Sequence, residues 1–235
     1  MTMLTPRTER VMSLDVTPLK QTALGERVAQ ELRRLIVRGQ LAVDTHLVEA
    51  QLSSDFGVSR GPIRDALRRL EAEGLVETRS RGTYVVGLTE SDISELFSLR
   101  ATLESFALRL CADQEDPDWT ILHDALDTMR SAADAGDATE FAIADLAFHS
   151  QFYELAGHRR LMAIWRDHEP TFRSLVQITT ARDVDLHPSA ESHAEILRLL
   201  ESGQIEQALG ELADHLDGSS RRMREARREL AGTAD

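Results

Sequence analysis

Apolar residues along the first ninety positions follow two periods. Leu24, Val28, Leu32, Leu35 and Ile36 recur at helical spacing. They predict a helix that ends at Gly39, with Arg33, Arg34 and Arg38 in its last turns, where cations suit the dipole. A second helix is expected from about Val48 to Phe56, then a tight turn at Gly57. Ser59 follows as an N-cap, with Pro62 in the first turn, where a missing N–H costs nothing. Ile63, Ala66, Leu67 and Leu70 give the third helix one apolar face, and it stops near Gly74. The period then shortens. Residues 75–78 and 83–86 are strand-like runs around Arg79-Ser80-Arg81-Gly82, a hairpin with a basic tip. Three helices followed by a small hairpin make a winged helix-turn-helix.

After Gly87 the strand signals stop. Six helices are expected, near 90–112, 117–134, 138–156, 159–181, 188–202 and 204–230, parted at Asp116-Pro117, Gly136, Gly157, His187-Pro188 and Ser202-Gly203. Pro170 falls inside the fourth and predicts a kink or a break. The chain is therefore read as mainly α: an N-terminal winged helix-turn-helix and a C-terminal all-α antiparallel helical bundle. Residues 1–19 have two prolines and no periodicity and read as a flexible arm. Residues 20–88 form the winged domain and 89–235 the helical domain. The arginine-rich run 221–228 reads as a solvated helix end.

Charge sharpens this division. The formal net charge of −13 argues against a nucleic-acid partner until it is counted by region. Residues 1–88 carry 13 Lys and Arg against 11 Asp and Glu, net +2, and the remainder carries 14 against 29, net −15. The acidic excess belongs wholly to the helical part, which weighs against non-specific coating of DNA by a structural nucleoid protein. The single cysteine, Cys111, excludes an internal disulfide and a thiolate cluster and reads as a small core residue. No apolar run approaches the ~20 residues of a membrane span. The first twenty residues lack the apolar stretch of a secretion signal. No membrane partner and a cytoplasmic location are expected.

The segment GVSRGPIRDALRRL carries the first candidate chemistry. A helix of this kind shows its N-terminal residues to the major groove while its other face packs on the domain. Arg60 and Arg64 are four apart on the exposed face, and arginine suits bidentate contact with guanine or phosphate. Ser59 and the helix N-terminus can take a phosphate. Arg79, Arg81 and Gly82 at the wing tip suit the adjacent minor groove or the backbone. The plainer alternative is a solvated helix with ordinary charge pairs, Asp65 with Arg69 and Arg68 with Glu71. The surrounding helix-turn-helix and wing favour DNA contact.

In the helical part, Asp145 and His149 lie four apart on a face bounded by Phe141, Phe148 and Phe152, where an ionised carboxylate is costly unless paired. His193 shares an apolar stripe with Ile196, Leu197 and Leu200, and His215 one with Ile205, Ala208 and Leu212. The two histidines stand ~15 and ~18 Å along their helices from the turn at Gly203, at ~1.5 Å per residue, so an antiparallel pair brings them nearly level. Three imidazoles and a carboxylate make a candidate divalent metal site, best suited to zinc, with nickel or manganese as alternatives. Arg100 is either an anchor for an acidic effector or a salt-bridge partner of Glu104. A metal-dependent enzyme acting on a small carboxylate is the rival to a regulator, since open Asp/His sites also activate water.

The segment LVEAQLSSDFGVSRGPIRDALRRLEAEGLVETRSRGTYVV resembles the DNA-binding domain of the GntR family of bacterial repressors, and LFSLRATLE resembles the first helix of that family's FCD effector domain. The resemblance covers most of the chain past residue 20 and points to the FadR-type subfamily, in its six-helix, VanR-like variant. It implies DNA contacts by Arg60, Arg64, Arg81 and Gly82. Some members have an arginine where this chain has Ala50, so that contact is missing. It implies a metal held by Asp145, His149, His193 and His215, and an altered effector pocket at His158, where many members have Asn. The function expected is a repressor that binds a palindromic operator as a homodimer, under control of a small organic acid bound near the metal.

Overall fold

The computed structural model describes residues 21–232; the arm proposed for residues 1–19 lies outside the described residues. Helix α1 (Gln21–Val37) buries Val28, Ala29, Leu32, Ile36 and Val37 against α3 (Arg60–Ala72), which turns Ile63, Ala66, Leu67 and Leu70 inward. Leu24, at the start of the expected stripe, is exposed. Between them α2 (Glu49–Phe56) ends at Gly57, whose φ of 62° makes the tight turn into α3. Strands β2 (Val76–Arg79) and β3 (Gly82–Val85) form the hairpin, each one residue from its expected bounds, so the tip is Ser80-Arg81 alone. A third strand, β1 (His46–Leu47), pairs with β3 and gives the order β1-β3-β2. Two residues are too few to show an alternation, so β1 leaves no pattern of its own in the sequence.

The six C-terminal helices form where expected: α4 (Glu90–Ala112), α5 (Thr120–Ala135), α6 (Ala138–Leu155), α7 (Arg159–Thr180), α8 (His187–Glu201) and α9 (Ile205–Gly232). Thr89 and Asp92 close a capping box at the start of α4. Pro170 does not break α7, which runs on as one helix. Its cost falls on one lost backbone bond, and the apolar face packs on both sides of it, through Leu161 and Trp165 before and Phe172 and Leu175 after. Helices α8 and α9 turn back on each other at Gly203 (φ 70°). Helix α6 packs against α4, α5 and α7, and its buried residues include Asp145 and His149.

Two sets of contacts tie the winged part to the bundle. Arg33 of α1 and Glu73, which caps α3, form a two-pronged ion pair at 2.5 and 2.6 Å, with side chains only 2% and 6% exposed. Thr171 of α7 donates to the same carboxylate at 3.0 Å. At the far end of α9, Arg227 donates to the Leu88 carbonyl of the winged part, while its neighbour Arg228 pairs with Glu90 at the start of α4. Met223 and Ala226 are buried there, so the run 221–228 is not a free solvated end but packs where the two parts join.

Candidate DNA interface and metal centre

With its apolar face turned in, α3 presents Arg60, Arg64 and Arg68 outward. Arg64 is 60% exposed and donates through Nε to Glu49 of α2 at 2.8 Å, leaving both Nη groups free. The Ser59 hydroxyl makes no capping bond, so the first backbone N–H groups of α3 are open to an anion. The charge pairs differ from those read in sequence: Arg68 pairs with Asp65 and Arg69 with Glu26, while Glu71 accepts from the Thr78 backbone N–H. On the wing, Arg79 is held by Asp44 and Glu77 over the Tyr84 ring, and these partners raise its pKa further. Arg81 stands exposed at the tip. Gly82 has φ 129°, and a Cβ there would run into Nε2 of His46, whose ring stacks on Tyr84. Gly82 thus shapes the wing as well as lining it.

Inside the bundle, Asp145, His149, His193 and His215 each offer one ligand atom, all within 4.8 Å of one another. Nε2 of His193 lies 3.1 Å from Nε2 of His149 and 3.2 Å from Oδ2 of Asp145. The rings of His193 and His215 are 4.4 Å apart, as the antiparallel turn requires. The outer hydrogen bonds decide which nitrogens are bare. Nδ1 of His193 faces the Ser189 carbonyl, which can only accept. Nδ1 of His149 faces the Glu104 carboxylate at 2.7 Å. Nδ1 of His215 faces the Ser192 hydroxyl, whose proton goes to Glu211. Each ring therefore spends its proton outward.

Bare imidazole nitrogens then converge on a carboxylate, an arrangement that repels itself unless a cation sits between them. A tetrahedral shell with ~2.0–2.2 Å bonds has edges of roughly 3.3–3.6 Å, and the 3.1 and 3.2 Å separations come within a few tenths of an ångström of that. The residues fit a divalent ion. Electrostatics agree: burial lowers the pKa of His149 and pushes that of His215 well down, so both rings are neutral ligands at pH 7.

Arg100 donates through Nε to Oε1 of Glu104 at 2.5 Å, and both are buried. Both alternatives for Arg100 thus stay in play, since Nη2 has no partner although it is buried. Its guanidinium faces the Phe172 ring at 5.0 Å. The Tyr153 hydroxyl, stacked with its ring on Trp165, is a second buried polar atom without a partner. Sequence reading passed over Glu104 as a metal-site residue and over Tyr153. His158 is exposed: it caps α7 through Nδ1 and lies edge-on to Phe106. Cys111 is buried as expected, with its thiol pushed up to about 12 by burial.

A three-helix winged head with outward arginines, carried on a bundle with a buried polar centre, defines a DNA-binding regulator. The chain belongs to the GntR family of bacterial regulatory proteins, whose model matches residues 24–86, and it carries an FCD domain over residues 95–218, the FadR-like arrangement. It is 34% identical over 162 residues to the gluconate operon transcriptional repressor of Bacillus licheniformis, covering 68% of this chain and 67% of that protein. It is 30% identical over 199 residues to the probable D-xylose utilization operon transcriptional repressor of Paenarthrobacter nicotinovorans, covering 84% and 88%. A putative transcriptional regulator GntR from Rhodococcus sp. RHA1 aligns with a TM-score of 0.63 at 25% identity, over 86% of this chain and 97% of that one. These relatives are transcriptional regulators, which decides against the metal-dependent enzyme. No described helix is long and apolar enough to cross a membrane.

Proposed function

We propose that this regulator is a repressor that binds a palindromic operator as a homodimer and is controlled by a small organic acid held between a divalent metal and Arg100. The units are residues 20–88 for DNA and 89–235 for effector binding and dimerisation, in the six-helix, VanR-like form. Ser59, Arg60, Arg64, Arg79, Arg81 and Gly82 contact DNA; Asp145, His149, His193 and His215 hold the metal, zinc before nickel or manganese. The observation that carries the sensing half is the buried charge balance. Arg100, Glu104 and Asp145 sum to −1 inside the bundle, which a divalent cation turns to +1, leaving room for one monoanion. When bound, the ion supplies a Lewis-acid centre for the effector's carboxylate. Arg100 Nη2 offers the second contact. The effector-binding role read for His158 is carried in this proposal from a side chain exposed at the start of α7. Consecutive residues of α7 connect this centre to the head: Phe172 faces Arg100, and Thr171 bonds Glu73 at the end of α3. A shift of Arg100 toward an anion moves Phe172 and so loads the Thr171–Glu73 contact.

Fluorescence anisotropy on the DNA upstream of the protein's own coding sequence tests both halves. Arg60→Ala and Arg64→Ala should each weaken binding and flatten its salt dependence. D-gluconate, suggested by the relatives' operons, is the first acid to add. Operator binding that is unchanged in both arginine variants would overturn the DNA assignment.

A further inference from the structure

Glu104 is buried in α4, and its ion pair with Arg100, four residues earlier, does not account for that burial. Pairs at this spacing form equally well on a helix surface, and burying one costs more than it returns unless further hydrogen bonds are made. Glu104 makes such a bond. Oε1 takes Arg100 Nε at 2.5 Å, and Oε2 takes Nδ1 of His149, on α6, at 2.7 Å. One carboxylate thus divides its two oxygens between an arginine and a metal-site histidine.

Without Glu104, His149 is free to turn its proton inward. An Nε2–H donated to His193 or Asp145 would satisfy the cluster with protons alone. Glu104 claims that proton at Nδ1, so Nε2 faces inward bare, 3.1 Å from Nε2 of His193. The Ser189 carbonyl has already claimed the His193 proton. We infer that Glu104 is the positioning residue of the metal centre: it makes a self-satisfied histidine cluster into a cation receptor and, through its other oxygen, couples that receptor to Arg100. This rests on the metal reading above. Because the two partners share one carboxylate, a cation at His149 and an anion at Arg100 alter each other's affinity reciprocally.

The test uses the full-length chain, stripped with a chelator, then titrated with Zn²⁺ against a colorimetric chelator and with Co²⁺ followed by its visible absorption. Glu104→Leu, which leaves Nδ1 of His149 without an acceptor, should weaken Zn²⁺ binding about 10- to 100-fold, the usual effect of losing a histidine's outer partner, and alter the Co²⁺ bands. That variant leaves the Arg100 charge stranded, so the Arg100→Met/Glu104→Leu pair, which removes both charges and offers no acceptor to His149, is measured beside it. The pair should show the same loss, and it decides the matter if the single variant does not fold. A wild-type chain that takes up no Zn²⁺ overturns the metal reading and the role of Glu104 with it. Wild-type binding with both variants within about threefold overturns the positioning role alone. So does recovery of wild-type affinity in the pair, which would trace the single variant's loss to the stranded arginine.

Discussion

Replacing Thr171 by valine removes one hydroxyl at the junction of the two parts and keeps its shape. Thr171 is 1% exposed and donates at 3.0 Å to Oε2 of Glu73, an oxygen that also receives Arg33 Nε at 2.5 Å. A hydrogen bond to a charged group contributes about 1.5–3 kcal/mol. The valine methyl returns part of that, roughly 0.8 kcal/mol for one buried carbon. Glu73 still holds both prongs from Arg33, so no charge is stranded. The net loss is then about 1–2 kcal/mol. Glu73→Gln is a different case, because it leaves the Arg33 charge buried with a neutral partner, a loss of about 3–5 kcal/mol. Urea unfolding followed by far-UV circular dichroism measures both, with the double variant closing the cycle. The two losses should not add, since the Thr171 bond draws its strength from the Glu73 charge. A Thr171→Val variant within about 0.3 kcal/mol of wild type, or strict additivity in the double variant, would refute the contact as described.

Other expectations follow from the buried groups. Tyr153→Phe keeps the stack on Trp165 and deletes a hydroxyl that has no partner, so unfolding without ligand should be no easier than in wild type, and a fall in stability would contradict the reading. Cys111, with its thiol pushed up to about 12 by burial, should stay unreactive toward a thiol reagent at pH 8 until the chain is unfolded; prompt labelling of the native protein would count against it. The chelator-stripped protein should lose stability as pH falls through about 6.5. Burial lowers the pKa values of His149 and His215, so the unfolded chain takes up protons first, and the loss continues down to the depressed folded values. Stability that is flat from pH 7 to 5.5 would remove that account.

Local pattern carried most of the fold and only part of the site. The helices were legible because their apolar stripes hold the 3.6-residue period and end at left-handed glycines such as Gly57, Gly136 and Gly203. The four residues of the Asp/His cluster were legible because a histidine or aspartate on an apolar stripe needs a reason to be there. Strand β1 was not, being defined only by its pairing with β3. The unbroken course of α7 through Pro170 depends on packing from other helices.

Glu104 and Arg33 were read incompletely for one physical reason. Each has a local role that accounts for it, Glu104 as the i,i+4 partner of Arg100 and Arg33 as a cation near the end of α1. Local roles are available at a helix surface, however, and both residues sit in the buried phase of their stripes. Glu104 shares its stripe with Phe97, Ala107, Leu108 and Cys111, and Arg33 lies between buried Leu32 and Ile36. A charge kept in that phase demands a second partner that only the tertiary fold supplies. For Glu104 that partner is His149, 45 residues away, and for Arg33 it is Glu73, 40 residues away. The burial phase of a charged residue thus signals that a distant partner exists, while the partner's identity comes only from the helix packing. In this chain those two distant partners lie at the candidate metal centre and at the junction with the DNA-binding head.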